Sequence, residues 1–198
     1  MRSLSLVRAL RIRVTTGALD SHVARVLEER GFALHSELLD LSRATAELSA
    51  PDVAPLRWCS LAEAEPARLV ALHNETFREV PNTLPLELED LERLLRGAFA
   101  EASSVIVDAE HDAAHLIALR HDDAPEPYAE IDVVGVRDAY RRRGLGRAMI
   151  ARALGAAYRA GLPELRALVS SLNTGSLELH RNNGFDVRYR RFQWQHTR

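Results

Sequence analysis

The sequence predicts an α/β chain of the α+β kind, and three observations carry that expectation. From Leu56 onward, strand-like and helix-like patterns follow in the order strand, two helices, three strands, helix, strand, helix, strand. One of these junctions, Ala129–Ile150 (AEIDVVGVRDAYRRRGLGRAMI), drives an apolar strand into a basic, glycine-punctuated loop that opens a helix. The 198 residues are 46% hydrophobic and 27% charged, ordinary values for a globular protein with a sizeable core.

Each element has its own local reason. Residues 9–14 alternate as a strand, Asp20 is placed to cap a helix over Ser21–Arg30, and Gly31 ends it. Residues 32–41 read as a second strand. Ala44–Pro55, with two prolines and little apolar pattern, reads as a linker, which divides the chain into residues 1–50 and 51–198. After a strand at Leu56–Cys59, Ser60-Leu61-Ala62-Glu63 is a capping-box pattern predicting a helix to about Phe77. Thr83 is placed to cap a helix over Leu86–Arg96, stopped by Gly97. Strands follow at Ser104–Val107, Ala113–Leu119 and Tyr128–Val136, then a helix at Leu145–Ala160. A strand at Leu165–Val169, a helix from Thr174 to Asn182 and a long strand at Phe185–Trp194 complete the order.

Composition excludes several function classes. A net charge of −2 argues against a general nucleic-acid binder, which needs a basic face, and YRRRGLGR is the one strong basic cluster. A single cysteine, Cys59, rules out an intramolecular disulfide, fits a reducing compartment and reads as a small packed residue. The opening MRSLSLVRALRIRV lacks the apolar core of a secretory signal, and no stretch approaches the length of a membrane span. These features predict a cytoplasmic protein with neither membrane nor nucleic-acid partner. The histidines show no metal-ligand spacing, so no metal is expected.

The strand-to-helix junction gathers unpaired backbone N–H groups and the positive end of a helix dipole, a setting suited to phosphate. Gly144 and Gly146 would let a ligand approach the main chain, and Arg141, Arg142, Arg143 and Arg147 add charge for phosphate oxygens. Neither G-x-x-x-x-G-K-[ST] nor G-x-G-x-x-G occurs. Arg141-Arg142-Arg143-Gly144-Leu145-Gly146 resembles the R/Q-x-x-G-x-G/A signature of the GNAT superfamily of N-acetyltransferases. Asn173-x-x-Ser176-x-x-Leu179-His180-x-x-x-Gly184-Phe185 is similar to that family's N-x-x-A-x-x-L-Y-x-x-x-G-F. The resemblance covers about residues 56–196 and implies the GNAT fold, a mixed and mostly antiparallel sheet with splayed central strands and helices on both faces.

The first 50 residues echo the end of the chain. Val26-Leu27-Glu28-Glu29-Arg30-Gly31-Phe32 aligns with Leu179–Phe185 at a constant offset of about one such domain, so residues 1–50 read as the closing third of a first, partial GNAT-like copy. The plainer reading is a common helix-to-strand turn. Tandem-domain members such as mycothiol synthase have this layout, and Ala129–Gly146 resembles their active domain. A strand–helix–strand piece has sheet edges to cover, either on the main domain or on a second chain in a homodimer.

The resemblance also implies roles. Main-chain groups of Val134, Gly135 and Val136 would hold the pantetheine arm and thioester of acetyl-CoA, and Arg141 to Arg147 with Leu145 its pyrophosphate. Asn173 and Ser176 would border the thiol, although Asn173 serves equally well as a helix cap. Glu130 matches an acidic residue of the mycothiol-synthase-like pattern and is the candidate general base, since an amine of pKa near roughly 10 must lose a proton at neutral pH. Asp132 and Tyr128 share its face by alternation and, with Phe77, could line the acceptor site; either acid could also be a solvated strand residue. His180 stands where many members carry the tyrosine that protonates the thiolate, and reads either as that acid or as a packing residue. The implied activity is transfer of an acetyl group to a small-molecule or peptide amine; a degenerate acyl-CoA-binding sensor or structural module is the alternative.

Overall fold

A computed structural model describes residues 11–19, 21–81, 83–109 and 111–197 of the protein. The elements are β1 (Arg11–Thr16), α1 (His22–Glu29), β2 (Ala33–Ala44), β3 (Arg57–Cys59), α2 (Pro66–Phe77) and α3 (Leu88–Arg96). They continue as β4 (Ser104–Val107), β5 (Asp112–His121), β6 (Tyr128–Val136), α4 (Leu145–Arg159), β7 (Glu164–Ser170), α5 (Thr174–Asn182) and β8 (Asp186–Thr197). All eight strands form one sheet in the order β1-β8-β2-β7-β6-β5-β4-β3. Among the described residues only β6 and β7 pair in parallel; every other ladder is antiparallel.

Within residues 11–50, β1 and β2 are strands of this same sheet. Strand β2 runs between β7 and β8, and β1 pairs with the far side of β8. These four strands, β1-β8-β2-β7, therefore interleave two strand–helix–strand units, β1-α1-β2 and β7-α5-β8, each sending its second strand between the strands of the other. Their helices end alike, at Gly31 with φ +81° and Gly184 with φ +74°. Trp194 of β8 is almost fully buried and donates from Nε1 to the Thr16 hydroxyl of β1 at 3.0 Å, which pins the outer pair.

Two cores sandwich the other half of the sheet. One holds α4 residues such as Met149, Ile150 and Leu154 against Ala114, Leu116, Ile131 and Leu165. The second packs Leu69 and Leu72 of α2 and Leu91 of α3 on Val105, Ile117 and Val133. Cys59 belongs to this second core, and burial pushes its thiol up, in keeping with a packed residue.

Several element boundaries differ from the sequence expectation. The Ser60 box does form, with Glu63 Oε2 accepting from the Ser60 N–H at 2.9 Å and its hydroxyl at 2.8 Å. It closes a turn rather than a helix, because α2 starts at Pro66, whose ring presets the first helical turn. Thr83 caps nothing; α3 begins after Glu87, and Asn74 holds the intervening Leu86 through both its N–H and its carbonyl. The α1 cap is Ser21, whose hydroxyl accepts from Ala24 N–H at 3.1 Å, while Asp20 and residues 9–10 lie outside the described residues. No described helix is long and apolar enough to cross a membrane.

Candidate active site

The site begins at a break in the sheet. Strands β6 and β7 pair only at Ala129↔Leu165, Glu130↔Arg166 and Ile131↔Ala167, and beyond that point they part. A register shift against β5 accompanies the parting, since Ala118 opposes Ile131 but the adjacent Ile117 opposes Val133, leaving Asp132 as the bulged residue. The bulge switches the alternation: Ile131 enters the α4-side core, whereas Val133 enters the α2-side core. Alternation along the β5 ladder then turns the main-chain groups of Val134 and Val136 toward the gap, and the Val136 carbonyl accepts from Arg141 Nε at 3.2 Å.

Gly135 sits between them because nothing larger fits. A Cβ there would lie 2.6 Å from both His115 Cε1 and Thr76 Oγ1. His115 is completely buried, stacks edge-on to His73 at 5.6 Å, and has no hydrogen-bond partner at either ring nitrogen among the described residues. Burial, reinforced by His73, pushes its pKa down to about 3. Phe77 lies on His73 with ring centroids 4.6 Å apart and reaches the gap from α2.

The basic loop has the geometry of an anion cradle. Arg142 (φ +63°) and Gly144 (φ +81°) both take the left-handed conformation, and Gly144 caps α4 without any side-chain cap bond. The first helical bond runs from Ala148 N–H to Gly144 C=O at 2.9 Å, so the N–H groups of Leu145, Gly146 and Arg147 have no intrahelical partner. A Cβ on Gly144 would meet no atom within 4 Å, so its glycine serves the backbone angle. Gly146 also lines the cleft, and its Cβ position faces Leu179 at 3.1 Å, so a glycine there in addition lets α4 pack on α5. The arginines diverge. Arg141 is paired with Asp138 at 3.0 Å, Arg143 lies over the Tyr140 ring at 5.2 Å, and Arg142 and Arg147 border the cradle. The cradle and gap form a cleft of about 620 Å³ that also takes in Val134, Gly135, Val136, Asn173 and Ser176.

A second cleft of about 280 Å³ opens beside it between the splayed strands, lined by Phe77, Asp132, Val134, Asn173, Ser176 and His180 among others. Asn173 caps α5, its Oδ1 accepting from Ser176 N–H at 3.1 Å. His180 is 1% exposed and its Nδ1 lies 2.8 Å from the Ser176 carbonyl; burial lowers its pKa, partly offset by that carbonyl. Neither Glu130 nor Tyr128 lines this cleft. Glu130 lies two residues back on β6 with its Oε2 2.9 Å from His121 Nε2, and Tyr128 is stacked between His121, at 4.5 Å, and the Arg166 guanidinium, at 3.7 Å. Burial raises the Glu130 pKa, His121 opposes that rise, and Asp132 adds to it. Asp132 is likewise raised by burial and opposed by His121. Sequence reasoning gave His115, His121 and Thr76 no role; the register that sets His115 against Gly135 comes from pairing between separate strands and has no local signal.

Residues 67–185 match the model of the acetyltransferase (GNAT) family. The chain belongs to that family. Among curated proteins it is similar to a mycothiol acetyltransferase of Jonesia denitrificans, at 29% identity over 84% of this chain and 56% of that protein. A mycothiol acetyltransferase of Thermobispora bispora is 32% identical over 62% of this chain and 45% of its own length. The chain thus spans about half the length of these relatives. Among solved structures, a GCN5-related N-acetyltransferase from Sphaerobacter thermophilus superposes with a TM-score of 0.77 at 17% identity, over 96% of this chain and 60% of that one. A tandem GNAT protein from the clavulanic acid biosynthesis pathway gives 0.69 at 15% identity, over 96% and 64%. These likenesses bear on the fold, an α/β GNAT sheet.

Proposed function

We propose that the protein transfers an acetyl group from acetyl-CoA to a primary amine by direct attack while both are bound. The observation that carries this reading is the continuity of the anion cradle with the splayed strands and with a cleft holding two ionisable side chains, Asp132 and His180. The residues fit the coenzyme. The free N–H groups at the start of α4 with Arg142 and Arg147 would hold its pyrophosphate, and Val134 and Val136 present main-chain groups to the pantetheine amides. The bound thioester supplies the acyl group.

On the acceptor side, Asp132 faces the cleft with Glu130 behind it. Burial holds both carboxyls above their ordinary range, and repulsion from Asp132 adds to the rise at Glu130, which a cationic ammonium would relieve. Raised carboxylates are also better proton acceptors, so this pair takes the proton that turns the ammonium into a nucleophile. Glu130 then acts from behind Asp132, with His121 holding its carboxylate. Phe77 supplies the apolar wall. The acceptor we propose is a small-molecule or peptide amine; the curated relatives are named mycothiol acetyltransferases.

Thiol release from acetyl-CoA with a panel of small and aminoacyl amines tests the reading, alongside calorimetry of acetyl-CoA binding. Coenzyme binding without thiol release on any amine would favour a coenzyme-binding module instead.

A further inference from the structure

The far wall of the acceptor cleft comes from strands that lie well away from the anion cradle. Beyond Asp132 and Phe77, the cleft is lined by Leu168 and Ser170 of β7, Leu38 of β2 and Gln193 of β8. The ladders set Leu38, Ser170 and Gln193 on one face, because Leu38 opposes Ser170, while Ser36, two residues earlier in β2, opposes Gln193. Ser36 is 5% exposed, and its hydroxyl donates to Gln193 Oε1 at 2.7 Å. With its oxygen held in this way, the amide offers its nitrogen and two hydrogens to the cleft. Among the described residues no bond takes those hydrogens.

Resting on the acyl-transfer reading, we infer that Gln193, fixed by Ser36, is a specificity-determining residue that donates to an oxygen at the end of the acceptor opposite its reacting amine. In the sheet order β8-β2-β7-β6, Gln193 and Asp132 stand three strand spacings apart, a distance of about 14 Å. Leu38 and Leu168 lie on the strands between them and give the middle of the acceptor an apolar floor. The chemistry recognised is that of an elongated amine: an ammonium at Asp132, an apolar middle, and a carbonyl, carboxylate or hydroxyl oxygen at Gln193. A peptide of about four extended residues and a long-chain amino amide both present this spacing. A shorter amine leaves the Gln193 hydrogens to water and gains nothing from them. Gln193 stands far from the reacting nitrogen, so its bond to the acceptor holds equally before and during transfer and acts on KM rather than on kcat.

A first readout needs no turnover. Gln193 and Gln195 are the chain's glutamines, so protein labelled with ¹⁵N-glutamine shows just their side-chain amides, and Gln193→Leu assigns them. An ω-amino carboxamide long enough to span the cleft should shift the Gln193 amide, and the alkylamine of equal length without the oxygen should leave it in place. Equal shifts, or none, overturn the inference. Thiol release by the unaltered protein tests the transfer reading itself, so the two failures are distinguishable. In that assay the carboxamide should have a KM about fivefold or more below that of the alkylamine, an advantage absent from shorter pairs that cannot span about 14 Å. Gln193→Glu keeps an oxygen for Ser36 but sets an acceptor where the donor was. It should remove the advantage while leaving kcat and the KM for acetyl-CoA within about twofold. Ser36→Ala should weaken the advantage in the same direction. A change shared by carboxamide and alkylamine would mark a structural role only and overturn the inference. A peptide amide of about four residues, run beside the carboxamide, separates the two sources by kcat/KM, and Gln193→Glu should raise the KM of whichever is preferred.

Discussion

His115 makes the stability of this protein depend on pH in a calculable way. Its ring is completely buried beneath Gly135 and its pKa is pushed down to about 3, against an unfolded value of 6.5. A histidine that resists protonation only when folded contributes stability above the unfolded pKa and loses it as pH falls toward the folded one. Between pH 7 and pH 5 the unfolded chain takes up about 0.7 of a proton that the native chain refuses. Integrating 1.36 kcal/mol per pH unit over that titration gives a loss of about 2 kcal/mol. The assay is urea unfolding at half-unit pH steps, followed by circular dichroism, for the natural protein and His115→Leu. Other groups titrate in this window, so the quantity that matters is the difference between the two slopes. The leucine variant should lose about 2 kcal/mol less between pH 7 and pH 5. Parallel stability profiles would refute the account of an uncharged, unpartnered ring.

Other substitutions test the rest of the site. Gly135→Ala places a methyl 2.6 Å from His115 and Thr76 and should cost about 1–3 kcal/mol in thermal or urea unfolding. Gly144→Ala meets open space but must adopt φ +81°, costing about 1–2 kcal/mol and weakening acetyl-CoA binding by calorimetry. Arg147→Glu should weaken acetyl-CoA binding at least about tenfold at low salt, with a smaller difference at high salt. Asp132→Asn should raise KM for a cationic amine more than Glu130→Gln does, since only Asp132 lines the acceptor cleft. Equal effects would restore Glu130 to direct contact.

The parts of the fold written in local chemistry were legible in the sequence. Strand β6, the loop with Arg142 and Gly144, and α4 follow one another within a short stretch, and hydrophobic period and glycine placement mark each. The candidate site was legible only in part. Asn173, Ser176 and His180 stand on one helical segment and enter the cleft together, whereas Glu130 and Asp132 were separated by a bulge that no local residue announces. That shift arises from pairing with β5, a contact between distant residues. The packing role of Gly146 was hidden for a similar reason, because its neighbour Leu179 comes from another helix. The Ser60 box formed its bonds but lost the helix to Pro66, where one proline outweighed a cap.

The interleaving of β2 with β8 has a consequence for how this chain can be cut. The region matching the family begins at residue 67, so excision at the linker would look safe. Yet β8 hydrogen-bonds only to β2 and β1, both from the opening residues, and β7 would lose the neighbour on its outer side. A fragment starting at the linker would strand its last ribbon and bare an unpaired edge beside the cleft between the splayed strands, inviting self-association. Because β1 and β8 lie far apart in sequence yet pair directly, that half of the sheet cannot assemble until β8 has been synthesised.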